Sequence, residues 1–285
     1  MQTSAHHSAP TLTWQEWLQP YKGVFRAGLS NAVEYRTNFL VETVVWLLVS
    51  SAVNIYLWYS VYESSGQSHL AAMSLQQMMA YIACATLSAS LCRKGRMERA
   101  TGEEIRTGEL NKYLIKPVTH LFYVTAASSA ERFIALQLTL TFAVIVGAPF
   151  AYFAGISFSF AGCLLAVPML LCGMMIHSLL ALMLSYLAFW LDEVWTFHVV
   201  KDISLWLLSG QMLPLNTLPP VALQISHLLP FQYIAYVPAS LMVGMIPANE
   251  ALPYFAGAIL WVVIMLASAL LLWKRGIARY SAFGG

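Results

Sequence analysis

Residues 160–190 read FAGCLLAVPMLLCGMMIHSLLALMLSYLAFW, thirty-one positions without one Asp, Glu, Lys or Arg. About 20 apolar residues suffice for a helix to cross the hydrocarbon of a bilayer, and this run exceeds that. It is about twice as long as a barrel strand and does not alternate, so its backbone must satisfy its own hydrogen bonds as a helix. Five further runs predict the same: Phe39 to Tyr62, Ala71 to Cys92, Arg132 to Phe153, Trp195 to Leu215 and Leu252 to Trp273. The expected fold is an all-α polytopic membrane protein with six transmembrane helices in a single domain over 1–285.

Composition agrees. Of 285 residues, 59% are apolar and 10% charged, against roughly 25% charged in ordinary soluble domains. That excludes a water-soluble enzyme and leaves no room for a separate globular domain. A formal charge of +2 points to neither nucleic acid nor an acidic ligand. Met1 to Pro10 has no basic region followed by an apolar one, so no cleaved signal peptide is expected. Cys84, Cys92, Cys163 and Cys172 lie in or beside apolar stretches without C-x-x-C or histidine spacing, which predicts packing residues rather than a disulfide framework or zinc site.

Six crossings put both termini on one side, and the basic residues select it. All fifteen fall before the first span, between the second and third, near the fourth-to-fifth turn or after the sixth; segments 63–70, 154–159 and 216–251 hold none. Both termini are therefore expected in the cytoplasm. Trp58, Tyr59, Tyr62, Trp190, Trp195 and Trp273 suit interfacial belts. Over 11–36, Trp14, Trp17, Leu18, Tyr21, Phe25, Leu29, Ala32 and Val33 recur at helical spacing while Glu16, Lys22, Arg26 and Glu34 take other faces. This predicts an amphipathic helix on the cytoplasmic leaflet, preferred over a soluble helix packed on a loop.

Two segments stand apart. Arg93 to His120 carries seven bases and four acids. Thr101 with Glu104 matches a capping box, Gly108 suits a helix stop, and Glu109 to Ile115 suits a short helix ended by Pro117. Such a loop either docks short helices into a partner's groove or is a solvated loop that holds topology. Pro214 to Glu250 is nearly uncharged and cut by six prolines, Pro214, Pro219, Pro220, Pro230, Pro238 and Pro247. It predicts two half-length helices, Val221 to Leu229 and Phe231 to Val243, dipping back into the outer leaflet as an outer gate.

The order of these parts, with Glu104-Ile105-Arg106-Thr107-Gly108-Glu109-Leu110 running to Leu114-Ile115-Lys116-Pro117 and with Leu229-Pro230-Phe231-Gln232-Tyr233 before the last span, resembles the ABC-2 type permease family along essentially the whole chain. The resemblance implies the transmembrane subunit of an exporter in the bacterial cytoplasmic (inner) membrane. Such a subunit pairs with a second permease, identical or paralogous, and docks on two ABC ATPase subunits. Family members export drugs, antibiotics, lipids or polysaccharides. The 93–117 loop becomes the principal coupling element, with Arg99, Glu104, Ile105, Arg106, Gly108, Leu110, Leu114, Lys116 and Pro117 as its residues. Leu191 to Asp202, with Asp192, Glu193, His198 and Lys201, becomes a secondary contact, and Pro230, Phe231 and Tyr233 belong to the outer gate. The chain lacks G-x-x-x-x-G-K-[ST], so it binds no cofactor itself; ATP and Mg belong to the partner ATPase.

No group of residues forms a catalytic site or a metal site. Glu42 is read as snorkelling to the interface or touching the N-terminal helix rather than relaying protons. His177 lies well inside a span; a neutral core histidine is its ordinary role and a wall of the translocation path its sharper one. Asn54, Ser209 and Gln211 either face a shared cavity or bond between helices. Ala80, Cys84, Ser88 and Cys92 form a small-residue stripe for close packing, within the chain or across a dimer. Two other function classes carry different signatures. An ion-coupled transporter calls for paired charges at mid-membrane and internal repeats. A membrane-embedded enzyme calls for converging acids or a nucleophile, for which Asp192, Glu193 and His198 are the only cluster.

Overall fold

The computed structural model describes residues 14–34, 36–66, 69–70, 73–93, 97–115, 118–153, 155 and 157–280. Among these, the order is α1 (Trp14–Glu34), α2 (Arg36–Ser65), a two-residue antiparallel hairpin β1 (His69–Leu70) and β2 (Met73–Ser74), and α3 (Leu75–Arg93). Then come α4 (Met97–Arg106), α5 (Asn111–Leu114), α6 (His120–Phe142), α7 (Ala148–Phe153), α8 (Phe160–Tyr186) and α9 (Trp195–Leu208). The chain ends with α10 (Pro220–Leu228), α11 (Tyr236–Met242) and α12 (Ala251–Ile277). The fold is all-α but for the hairpin. Helices Phe160–Phe189 and Ala248–Ile277 are long and apolar enough to cross a membrane. Apolar side chains such as Val45, Val53 and Tyr56 on α2, Val200 and Ile203 on α9, and Ile259 and Val263 on α12 point outward. Such outward faces suit lipid or a partner rather than water.

α8 is the central helix. Ser159 opens it by accepting from the Gly162 amide (3.0 Å), which satisfies one of the unpaired donors of the first turn. Its faces pack on α3, α4, α11 and α12. Gly162 and Gly173 lie eleven residues, or about three turns, apart and so share one stripe. Along it the backbone of 233–241 runs close: a methyl on Gly173 would sit 2.6 Å from the Tyr233 carbonyl oxygen, and one on Gly162 would strike that of Leu241. The later part of the proline-broken stretch is therefore inside the bundle, with Ile234, Ala235, Val237, Ala239 and Leu241 buried, while Val221, Ile225 and Leu228 of the earlier part are exposed. Its expected helices fall at Pro220–Leu228 and Tyr236–Met242, separated by a single 3-10 turn at Pro230–Tyr233.

Several boundaries differ from expectation for physical reasons. α3 begins at Leu75, because Ser74 and Gln77 form a reciprocal capping box: Gln77 N to Ser74 Oγ is 3.3 Å and Ser74 N to Gln77 Oε1 is 3.0 Å. The expected box at Thr101 and Glu104 does not form, since α4 starts at Met97 and Thr101 is buried within it. The third apolar run starts at His120 and continues through a π-turn at Ala143–Gly147 into α7. Pro149 cannot donate to Ile145, so the ladder ahead of it slips.

The fifth expected span stops early. α9 has 14 residues, about 21 Å at the usual rise. Beyond it Gly210 takes φ +82°, and the carbonyls there are satisfied from elsewhere. Tyr81 Oη donates to Gly210 O (2.6 Å), Trp58 Nε1 to Met212 O (3.2 Å), and the Tyr236 amide to Ser209 O (2.9 Å). Trp58 and Tyr62, expected in an interfacial belt, are thus buried, Tyr62 donating to Met73 O, while Tyr59 stays exposed. The small-residue stripe of α3 packs within the chain: Cys92 Sγ lies 3.7 Å from Ile234 O.

At the other end, α1 lies along α6. Gly28 seats it closely, since a methyl there would stand 3.0 Å from Ala130 Cβ. Tyr21 packs edge-on to Phe122 and accepts from the Thr119 amide (3.0 Å), and Phe25 packs on Phe133. The side chain of Glu42 lies outside the described set.

Candidate functional site

α4 and α5 form a folded platform. Gly108, at φ +82°, turns the chain between them, a conformation that suits glycine because it lacks a Cβ. The Leu110 amide then bonds back to Glu104 O (3.1 Å) and the Thr107 amide to Glu103 O (2.8 Å). Ile105, Leu110 and Tyr113 are buried, Leu110 completely. Glu104 joins the two pieces by accepting from Tyr113 Oη (3.1 Å) and pairing with Lys112 Nζ (2.8 Å), which also reaches Glu109 (3.2 Å). These hydrogen bonds to carboxylates raise the Lys112 pKa above its ordinary value. Arg106 forks onto Glu103 at 2.7 and 3.1 Å, which holds its guanidinium further toward the charged form.

The platform is fastened from beneath by aromatic rings. His120 stacks on Trp273 (centroids 4.6 Å apart, 6° between planes), meets Tyr113 edge-on, and places Nδ1 3.1 Å from Tyr186 Oη. Burial, helped by the charge of Lys112, lowers the His120 pKa to about 4. Outward, Leu114 is 46% and Ile115 84% exposed. Lys116 and Pro117 lie outside the described residues.

The second expected contact region meets the first. A methyl on Gly102 would stand 2.8 Å from Val194 Cγ2, so α4 lies directly on the α8–α9 connection. Arg99 pairs with Asp202. Between the two lies a groove of about 180 Å³ lined by Arg99, Arg106, Asp192, Glu193, Trp195 and His198. Glu193 Oε1 accepts from the Trp195 amide at the start of α9 (2.6 Å). Lys201 departs from its expected position beside Asp192 and Glu193: it is 5% exposed, with Nζ 3.1 Å from Asp202 Oδ1 and 3.5 Å from His177 Nε2. His198 Nε2 lies 3.1 Å from Ser185 Oγ.

Of the residues expected along a path, His177 and Gln211 lie in this polar interior, Asn54 is bound within its own helix, and Ser209 is buried with its hydroxyl unpaired among the described residues. Gln211 is buried and accepts from Arg93 Nη2. Ser209 is buried, its backbone held by Tyr236, and Asn54 donates to Ser50 O of its own helix (2.8 Å). At the far end Pro230 and Tyr233 are buried and Phe231 half-buried. Arg93 is the residue that sequence reasoning passed over. It counted only as a topological charge, although a polar Gln211 in an apolar run called for a partner. Among the described residues no group of His, Cys, Asp and Glu could hold a metal ion.

The family model described as ABC-2 family transporter protein matches residues 48–284. The chain belongs to the ABC-2 transporter family. α1 lies outside the matched stretch. No curated protein and no solved structure matches. ABC-2 permeases are transmembrane subunits without an ATPase domain of their own and work with ABC ATPase partners.

Proposed function

We propose that this chain is the permease of an ATP-driven exporter in a bacterial inner membrane, moving a hydrophobic or amphipathic cargo outward, with a second permease alongside and two ATPase subunits beneath. α2, α3, α6 with α7, α8, α9 with the non-helical stretch after it, and α12 make six crossings, both termini being cytoplasmic. α10 and α11 re-enter from the outer face as a gate. The α4–α5 platform is the principal ATPase dock and the α8–α9 connection a second contact.

One observation carries this reading: the platform is rigidly held from inside by Leu110, Tyr113 and His120 yet offers bare apolar surface at Leu114 and Ile115. A solvated loop needs no buried anchor and gains nothing from an exposed isoleucine. Burying that side chain in a partner is worth about 2 kcal/mol, or about thirty-fold in affinity. Ile115→Asp is therefore expected to weaken copurification of the transporter's ATPase by at least that factor while leaving the permease's melting temperature unchanged. Undiminished ATPase recovery and turnover with Ile115→Asp would refute the dock.

A further inference from the structure

The described face of α1 continues into a second cavity unrelated to the platform. Lys22, Phe25 and Arg26 share one side of α1, three and four residues apart. With Tyr21 they line a shallow hollow of about 320 Å³. Phe25 also lines a deeper crevice of about 450 Å³ between α6 and α8, floored by Leu266 of α12, a size at which small-molecule and cofactor sites occur. Leu136, Leu171, Met175 and Leu179 make its wall apolar. Hydroxyls on the wall are spent on their own helices: Thr125 donates to Leu121 O, Ser129 to Thr125 O and Ser178 to Met174 O. Arg132 lines it too and is engaged in an interaction of its own. The crevice thus offers a polar solute little, whereas a hydrocarbon chain meets apolar surface along its length.

At the mouth the chemistry changes. Lys22 and Arg26 are exposed, and neither makes an ion pair with an acid among the described residues. Two cations one turn apart beside an apolar crevice complement an anionic head on a hydrocarbon tail. In the topology proposed above, on which this inference rests, the mouth lies at the cytoplasmic headgroups. We infer that α1, α6 and α8 together form a binding site for one acidic phospholipid of the cytoplasmic leaflet, its phosphate on Lys22 and Arg26 and an acyl chain past Phe25 into the crevice.

The full chain in nanodiscs of phosphatidylcholine with a minority of phosphatidylglycerol tests this, by native mass spectrometry of the lipid retained on release. Wild type is expected to keep one phosphatidylglycerol in preference to phosphatidylcholine. The double variant Lys22→Ala, Arg26→Ala changes only exposed residues and should fold normally; it is expected to hold the acidic lipid about thirty-fold more weakly. Met175→Trp, which fills the crevice, should abolish retention of either lipid. Equal retention of phosphatidylcholine by wild type, or undiminished phosphatidylglycerol in the double variant, overturns the site. A Lys22→Cys variant separates this from the topology: labelling from the periplasm alone would overturn the orientation proposed for the permease, whatever the lipid result.

Discussion

Gly173→Ala adds one methyl where α8, α3 and the broken segment converge, and the surroundings fix its cost. The new carbon would stand 2.6 Å from Tyr233 O, 3.2 Å from Cys92 Sγ and 3.3 Å from Ile234 Cα, where ordinary contact begins at 3.4 Å. The closest neighbour must retreat by about 0.8 Å, and it is backbone held by its own turn, since the Ile234 amide bonds to Phe231 O (3.1 Å). Overpacking of this kind costs about 1–3 kcal/mol, against about 1 kcal/mol gained by replacing glycine with alanine in a helix. Because the closest atom is backbone at 2.6 Å, the cost falls at the upper end of that range, so the net loss is about 2 kcal/mol, or roughly 4 °C in the thermal midpoint of a chain this long. Gly23→Ala is the control: nothing lies within 4 Å of the added methyl, so only the helix preference acts and the midpoint should hold or rise. The assay is tryptophan-fluorescence melting of the purified full chain in detergent. If Gly173→Ala melts at or above wild type, the broken segment is not wedged against α8 and its burial has been misread.

Other consequences concern the platform and the joints behind it. Burial holds His120 near 4, while an unfolded histidine titrates near 6.5. Because the folded value is the lower, this contribution is complete above about pH 6.5 and is lost as pH falls toward 4, by about 3 kcal/mol in all. His120→Phe keeps the ring on Trp273 and should flatten that part of a melting-versus-pH profile; an unchanged slope would assign the acid loss to other groups. Tyr81→Phe leaves the buried Gly210 carbonyl without its donor and should cost about 1–3 kcal/mol in the same melts, a neutral result meaning that Tyr81 does not hold that turn. Arg99→Ala breaks a pair whose side chains are 52% and 30% exposed, so a loss below about 1 kcal/mol is expected. Asp202→Asn also removes the acid beside buried Lys201 and should cost about 3 kcal/mol; equal losses would show that Lys201 does not depend on Asp202.

How much of this could be read from the sequence differs residue by residue. An uncharged run from Phe160 to Trp190 leaves a helix little alternative, and α8 is there. Gly108 at the end of a polar helical stretch marks a stop because few other residues adopt its φ. The prolines of 214–250 mark helix starts instead: Pro220 opens α10, Pro230 opens the 3-10 turn and Pro238 lies in the first turn of α11. The end of α9 was not legible, because its apolar run continues to Leu215 and the groups that draw the backbone away come from Trp58, Tyr81 and Tyr236. Ser74-x-x-Gln77 and Thr101-x-x-Glu104 present the same local pattern. Only the first lies where the chain leaves a hairpin and needs capping, a distinction made by tertiary context. Lys201 counted as a surface charge by the rule that places bases inside the cell, but that rule orients a chain and does not say which way one side chain turns.

The chain's scarce charges also join its helices. Arg93 ties the end of α3 to Gln211 beyond α9, Arg99 ties α4 to Asp202, and Lys201 brings α9 against His177 on α8. α9 is therefore held on several sides by polar contacts while its other face is bare and apolar. At its far end the Ser209 carbonyl accepts from Tyr236, the first residue of α11. A displacement of α4 would thus meet α9 first through Arg99 and Asp202. The next joint it would reach is the one between Ser209 and the broken segment packed on the glycine stripe of α8. The 14 residues of α9 thus stand between a contact with α4 at Asp202, near the middle of the helix, and one with α11 just past its end. In that geometry the shortness of α9 is an advantage, because a straight helix continued to Leu215 would carry Ser209 and Gly210 along its own ladder and leave Tyr236 and Tyr81 without the carbonyls they now hold.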